Sequence, residues 1–140
     1  MAFTVCIKKN PTGKWDENQN DRHMDFSFDD RDYLELRSLL NVEAPPVPEI
    51  KGEPLHEWDE RIKNNYIAAA KKKGYEMLGR FWDWYDSAVY QPQEVNQLLD
   101  ECLKLKQETW NRVQLTALDK LIATCREAIK TESGILFGSD

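Results

Sequence analysis

From Phe3 to Ile7 apolar and polar positions alternate, with Phe3, Val5 and Ile7 on one side and Thr4 and Cys6 on the other. That period of two predicts a half-buried strand over residues 2–7. Residues 9–23 are almost wholly polar, with turn chemistry in Asn10-Pro11-Thr12-Gly13 and Trp15 as the single large apolar group, and read as a long loop. Met24, Phe26 and Phe28 predict a second short strand. Asp29 or Asp30 can then cap a helix running to about Leu40, whose buried stripe is Tyr33, Leu36, Leu39 and Leu40.

Pro45, Pro46, Pro48 and Pro54, with Gly52 among them, exclude a regular helix from residues 41–54, which form a connector. Leu55, Trp58, Ile62, Tyr66, Ala69 and Ala70 recur at helical spacing, and the register resumes after Gly74 with Leu78, Phe81 and Tyr85. One long helix over 55–85 and two abutting helices satisfy this pattern equally, because a mid-helix glycine costs only about 1 kcal/mol relative to alanine. Tyr90-Gln91-Pro92-Gln93-Glu94-Val95 has the chemistry of a helix start, with proline and acid in the first turn and a buried face at Val95, Leu98, Leu99, Cys102 and Leu105. A last helix begins between Glu108 and Thr116, carries the stripe Val113, Leu118, Leu121, Ile122, Cys125 and Ile129, and stops at Gly134. Ile135-Leu136-Phe137 reads as a terminal strand that shares a sheet with the N-terminal one, with the helices over one face. The expected fold is therefore α+β, predominantly helical: about four helices and a small β element from the N-terminal segment and the C-terminal tail, in a single domain over 1–140.

Composition narrows the class. With 41 % hydrophobic and 31 % charged residues, the chain can bury a core, and 140 residues suit one domain. No apolar run approaches a membrane span, and Met1–Ile7 precedes Lys8 and Lys9 rather than following them, so the expected location is the cytoplasm. Charge is divided unevenly. Residues 1–60 hold 7 Lys/Arg against 14 Asp/Glu, net −7, whereas 61–100 carry net +1 and 101–140 net zero. A binder of nucleic-acid backbone needs a continuous basic surface, so direct nucleic-acid binding is not expected and a basic protein partner is.

Candidate chemistry is sparse. Asp16–Asp21 imitates the opening of a calcium loop, but Asp21 stands where the turn needs glycine and Ser27 where a bidentate glutamate should close the site. His23 and His56 belong to no metal motif, Cys6, Cys102 and Cys125 have no zinc-like spacing, and neither a phosphate-binding glycine loop nor a nucleophile elbow is present. No metal, cofactor or catalytic residue is assigned. The cysteines lie in apolar register and are expected to be buried, reduced and unreactive.

The densest unusual feature is Arg80-Phe81-Trp82-Asp83-Trp84-Tyr85-Asp86, followed by Tyr90. Residues two apart on a helix point in different directions, so either a wide core buries every ring or part of the group forms an exposed aromatic contact site. The candidate partner-binding residues are accordingly Asp29, Asp30, Asp32, Trp82, Trp84, Tyr85 and Tyr90. The expected function is an intracellular protein-binding module, of the inhibitor or immunity type directed at a basic toxin or nuclease. Two other readings stand beside it: a small hydrolase using carboxylates and His23 or His56 near an aromatic pocket, and a non-catalytic structural subunit.

Overall fold

The computed structural model of the protein describes residues 2–12, 22–23, 28–81 and 87–139. Five strands and four helices are found among them: β1 (Ala2–Lys8), β2 (Arg22–His23), β3 (Phe28–Asp29), α1 (Asp30–Leu40), α2 (Leu55–Lys73), β4 (Ala88–Tyr90), α3 (Val95–Gln107), α4 (Arg112–Lys130) and β5 (Gly134–Ser139). The fold is α+β and predominantly helical. All strand pairs are antiparallel, in the order β2-β1-β5-β4, with β3 also pairing with β1. The terminal strand anticipated from Ile135-Leu136-Phe137 lies between β1 and β4, with Ile7 opposite Ile135 and Ile135 opposite Tyr90.

This register places Val5, Ile7, Ala88, Tyr90, Ile135 and Phe137 on one face, where they join Leu36, Leu98, Leu118, Leu121 and Cys125 in a single core. α4 packs on β1 and β5, and α1 and α3 flank α4. Cys6 and Leu136, paired on the opposite face, are also fully buried, so β1 is covered on both faces rather than half-buried. Gly134 has a steric reason to be glycine: an added Cβ would lie 2.4 Å from the Tyr90 carbonyl oxygen and 2.6 Å from Pro11 Cγ.

The helix ends follow local chemistry. Gln91 and Glu94 form a capping box around Pro92, and a short 3-10 turn (Pro92–Glu94) leads into α3. α4 starts at Arg112 because the Asn111 side-chain oxygen accepts from the amides of Val113 and Gln114 at 2.9 and 3.3 Å. The continuation of α2 beyond Gly74 does not occur. Gly74 adopts φ +99°, and its amide and that of Tyr75 donate back to the carbonyls of the last turn. Leu78 and Phe81 are buried as the register requires, but through a 3-10 turn (Leu78–Arg80), neither in one long helix nor in a second α-helix. Val113, assigned to the α4 stripe, is exposed. The strand expected around Met24–Phe28 is seen only at Phe28–Asp29, and Arg22–His23 pairs with β1 at the end of the expected loop. Residues 13–21 and 24–27 lie outside the described residues.

Candidate functional site

The proline-rich connector runs back along the first half of α2. Trp58 Nε1 donates to the Val47 carbonyl at 3.1 Å, Asn65 Nδ2 to that of Pro45 at 2.6 Å, and Arg61 to the Pro48 carbonyl at 2.8 Å and to both oxygens of Glu53. Proline fixes its own φ and drives the preceding residue to extended geometry, so Ala44 to Pro48 is held as a strap whose carbonyls are free to accept side-chain donors. At its other end α2 docks on α1: Lys73 Nζ donates to the carbonyls of Leu40 and Asn41 at 2.8 and 2.9 Å, and the Arg37 guanidinium lies 4.9 Å from the centre of the Tyr66 ring. Of the α2 side chains only Tyr66 and Ala70 are buried. The first half of the helix and the strap thus form an arm.

At the tip of this arm, the chain turns through Ile50–Glu53, with the Glu53 amide donating to the Ile50 carbonyl at 3.0 Å and Gly52 at φ +84°, a conformation that favours glycine. Ile50 and Leu55 flank the turn, 54 and 67 % exposed. Glu49 and Asp59 beside them are exposed too, as are Glu43, Glu57 and Glu60 along the arm. Apolar side chains among mostly acidic neighbours, with Lys51 exposed in the turn itself, are brought together here from sequence positions that are individually unremarkable.

Of the residues expected to meet a partner, the structure commits two to other work. Tyr90 is fully buried: its hydroxyl donates to the Met77 carbonyl at 2.6 Å, its ring packs against Phe81 and Phe137, and burial pushes its pKa well up. It is a core residue, because β4 pairs it with Ile135 on the helix-covered face. Asp32 is buried as well and accepts from Lys120 Nζ at 2.8 Å, tying α1 to α4. Asp29 ends β3 and Asp30 begins α1. Trp82, Trp84 and Tyr85 lie outside the described residues. The two ends of their segment are joined by a polar cluster. Arg80 donates to the Val89 carbonyl at 2.6 Å and forms a two-pronged pair with Glu94, whose carboxyl that hydrogen bond holds below its ordinary range. The buried Glu101 carboxylate accepts from the amides of Met77 and Leu78 at 3.0 and 3.1 Å, and burial raises its pKa although these hydrogen bonds oppose the shift. This geometry builds a firm base for the 3-10 turn and β4.

Cys102 and Cys125 are buried, and Cys102 is held firmly in its thiol form by its hydrogen bond with Cys125 and by burial. No group of three or more His, Cys, Asp and Glu side chains suited to a metal ion occurs among the described residues. No described helix is long and apolar enough to cross a membrane.

Sequence reading missed Trp110, which is 92 % exposed on the ordered turn between α3 and α4, with Val113 nearby and Leu34 exposed on α1. Its only signal was a tryptophan in the polar run Thr109-Trp110-Asn111-Arg112, between two helical stripes. No protein-family model, curated protein or solved structure matches the chain.

Proposed function

We propose that the chain is a protein-binding module for a basic macromolecular partner, acting as an inhibitor or immunity-type protein that covers the functional surface of a basic toxin or nuclease. The observation that carries this reading is the arm tip, where Ile50 and Leu55 stand exposed beside Glu49 and Asp59. Acid around the contact accelerates encounter with a basic surface and disfavours acidic competitors, while a desolvated apolar centre supplies retention. Trp110 is the more exposed apolar group, but its neighbours Lys106, Asp119 and Arg112 carry mixed charge and give no such sign preference. Trp82, Trp84 and Tyr85 are further candidates for an aromatic contact, with Asp29 and Asp30 adding to the acid of the N-terminal half.

The test is affinity capture from native extract, with a charge-matched unrelated protein as control, followed by surface plasmon resonance across a salt series. Salt is expected to slow association. Leu55→Ser and Trp84→Ala, each confirmed folded, are expected to speed dissociation, and the pair Glu49→Lys and Asp59→Lys to slow association. A captured partner that ignores salt and every one of these variants, or no captured partner at all, would sink the proposal.

A further inference from the structure

Three sides of α2 are occupied. Trp58, Arg61 and Asn65 face the strap, Tyr66 faces Arg37, and Ala70 packs toward the 3-10 turn, where a Cβ on Gly79 would come within 2.8 Å of the Ala70 Cβ. At 3.6 residues per turn the remaining side is Glu57, Glu60, Asn64, Ala68 and Lys71, with Lys72 at its margin. All six are exposed. Glu57, Glu60 and Lys72 have no ion-pair partner among the described residues, and Lys71 reaches only Glu76, at 3.9 Å.

Along this face, charge runs from acid through a short uncharged centre to base. Such an order is its own complement when one helix is laid antiparallel on another about a twofold axis. We infer that two copies of this chain pair through α2 in this way, with Asn64 at the axis. Glu57 lies seven residues before Asn64 and Lys71 seven after it, so each Glu57 falls opposite Lys71 of the second copy, and Glu60 falls opposite Ala68, within a turn of Lys71 and Lys72. Asn64 and Ala68 are short enough for the helices to approach, and the amide side chains of the two Asn64 residues can bond across the axis. Every contact away from the axis occurs twice by symmetry. A basic partner would complement only the acidic half of the face, whereas a second copy complements all of it. Exposed ion pairs are individually weak and screened, so this is a salt-labile association rather than an obligate dimer. It makes no use of the tip residues Glu49, Ile50, Leu55 and Asp59, and it is measured on purified protein alone, so it stands or falls independently of the proposed partner.

Sedimentation equilibrium from roughly 5 µM to 1 mM protein, at about 20 and about 500 mM NaCl, reads this directly. A monomer–dimer equilibrium is expected at low salt, weakened about tenfold or more at high salt. The variants Glu57→Lys/Glu60→Lys and Lys71→Glu/Lys72→Glu, with wild-type circular dichroism, should each be monomeric alone and associate when mixed. Asn64→Asp, which sets two carboxylates against each other at the axis without removing any of these charges, should be monomeric as well. Monomer throughout for the wild type, self-association of either charge-reversed variant at wild-type strength, failure of the two to associate on mixing, or a dimer unaffected by Asn64→Asp would each overturn the pairing.

Discussion

Glu101 is a carboxylate held beneath the surface by amides and not by a cation, accepting from Met77, Leu78 and Gln97. Because burial raises its pKa, there is a pH window, above the ordinary carboxylate range and below the raised value, in which the folded chain keeps a proton that the unfolded chain has released. Stability contributed by this group therefore falls as pH rises through that window. Glu94 has the opposite sign: its pKa is lowered, so its contribution is present above the ordinary range and lost as pH falls through the lowered value. Glu101→Gln is expected to stay within about 1 kcal/mol of wild type at pH 7.5 while flattening the acid-side dependence. Glu101→Ala, which strands the Met77 and Leu78 amides, should lose about 1–3 kcal/mol. Urea unfolding of the three proteins at pH 5 and 7.5 measures this, and wild-type stability in Glu101→Ala would refute the role assigned to the carboxylate. Local pattern did not reveal Glu101, because a single acid beside the stripe of Leu98, Cys102 and Leu105 looks like an ordinary polar position. Tyr90 misled in the reverse direction. Its nearness to Trp82 and Trp84 suggested a contact surface, whereas its orientation is set by a strand partner forty-five residues further on.

Among the elements, the connector and α2 show what composition can and cannot specify. Four prolines and a glycine exclude helix from 41–54, and Gly74 supplies a left-handed residue at which α2 stops. The course of the strap along the helix had no local signal, since it depends on carbonyls meeting donors on Trp58, Arg61 and Asn65 up to twenty residues later. Burial of Leu78 and Phe81 was legible, but the means was not, because a 3-10 turn also brings residues three apart to one side. The asymmetry of α2 has a measurable effect. Its first half rests on the strap, whereas Tyr66 and Ala70 are buried in the body, so amides of residues 58–62 should exchange with solvent markedly faster than those of 66–70. Native-state hydrogen exchange resolved by residue reads the difference, and equal protection along the helix would show that the arm is no less stable than the body.

At the scale of the whole molecule, the α+β class and the sharing of a sheet by the two chain ends were readable because apolar Ile135-Leu136-Phe137 beside charged neighbours needs somewhere to pack. That β5 would be the middle strand was not readable, since strand order depends on long-range pairing. Removal of residues 134–139 should therefore abolish cooperative unfolding rather than trim it, because β1 and β4 would lose the strand that joins them. A truncated chain with a sharp thermal transition near the wild-type Tm would contradict this. The same arrangement constrains the order of events while the protein is being made. β1 emerges from the ribosome well before β5, and its pairing with β5 must wait until residues 134–139 are outside the exit tunnel, so the helices can begin to form before the sheet they pack against is joined. Throughout that interval one edge of β1 is open to strands of other nascent chains. The newborn polypeptide should consequently be a substrate for ribosome-associated chaperones until its closing strand appears.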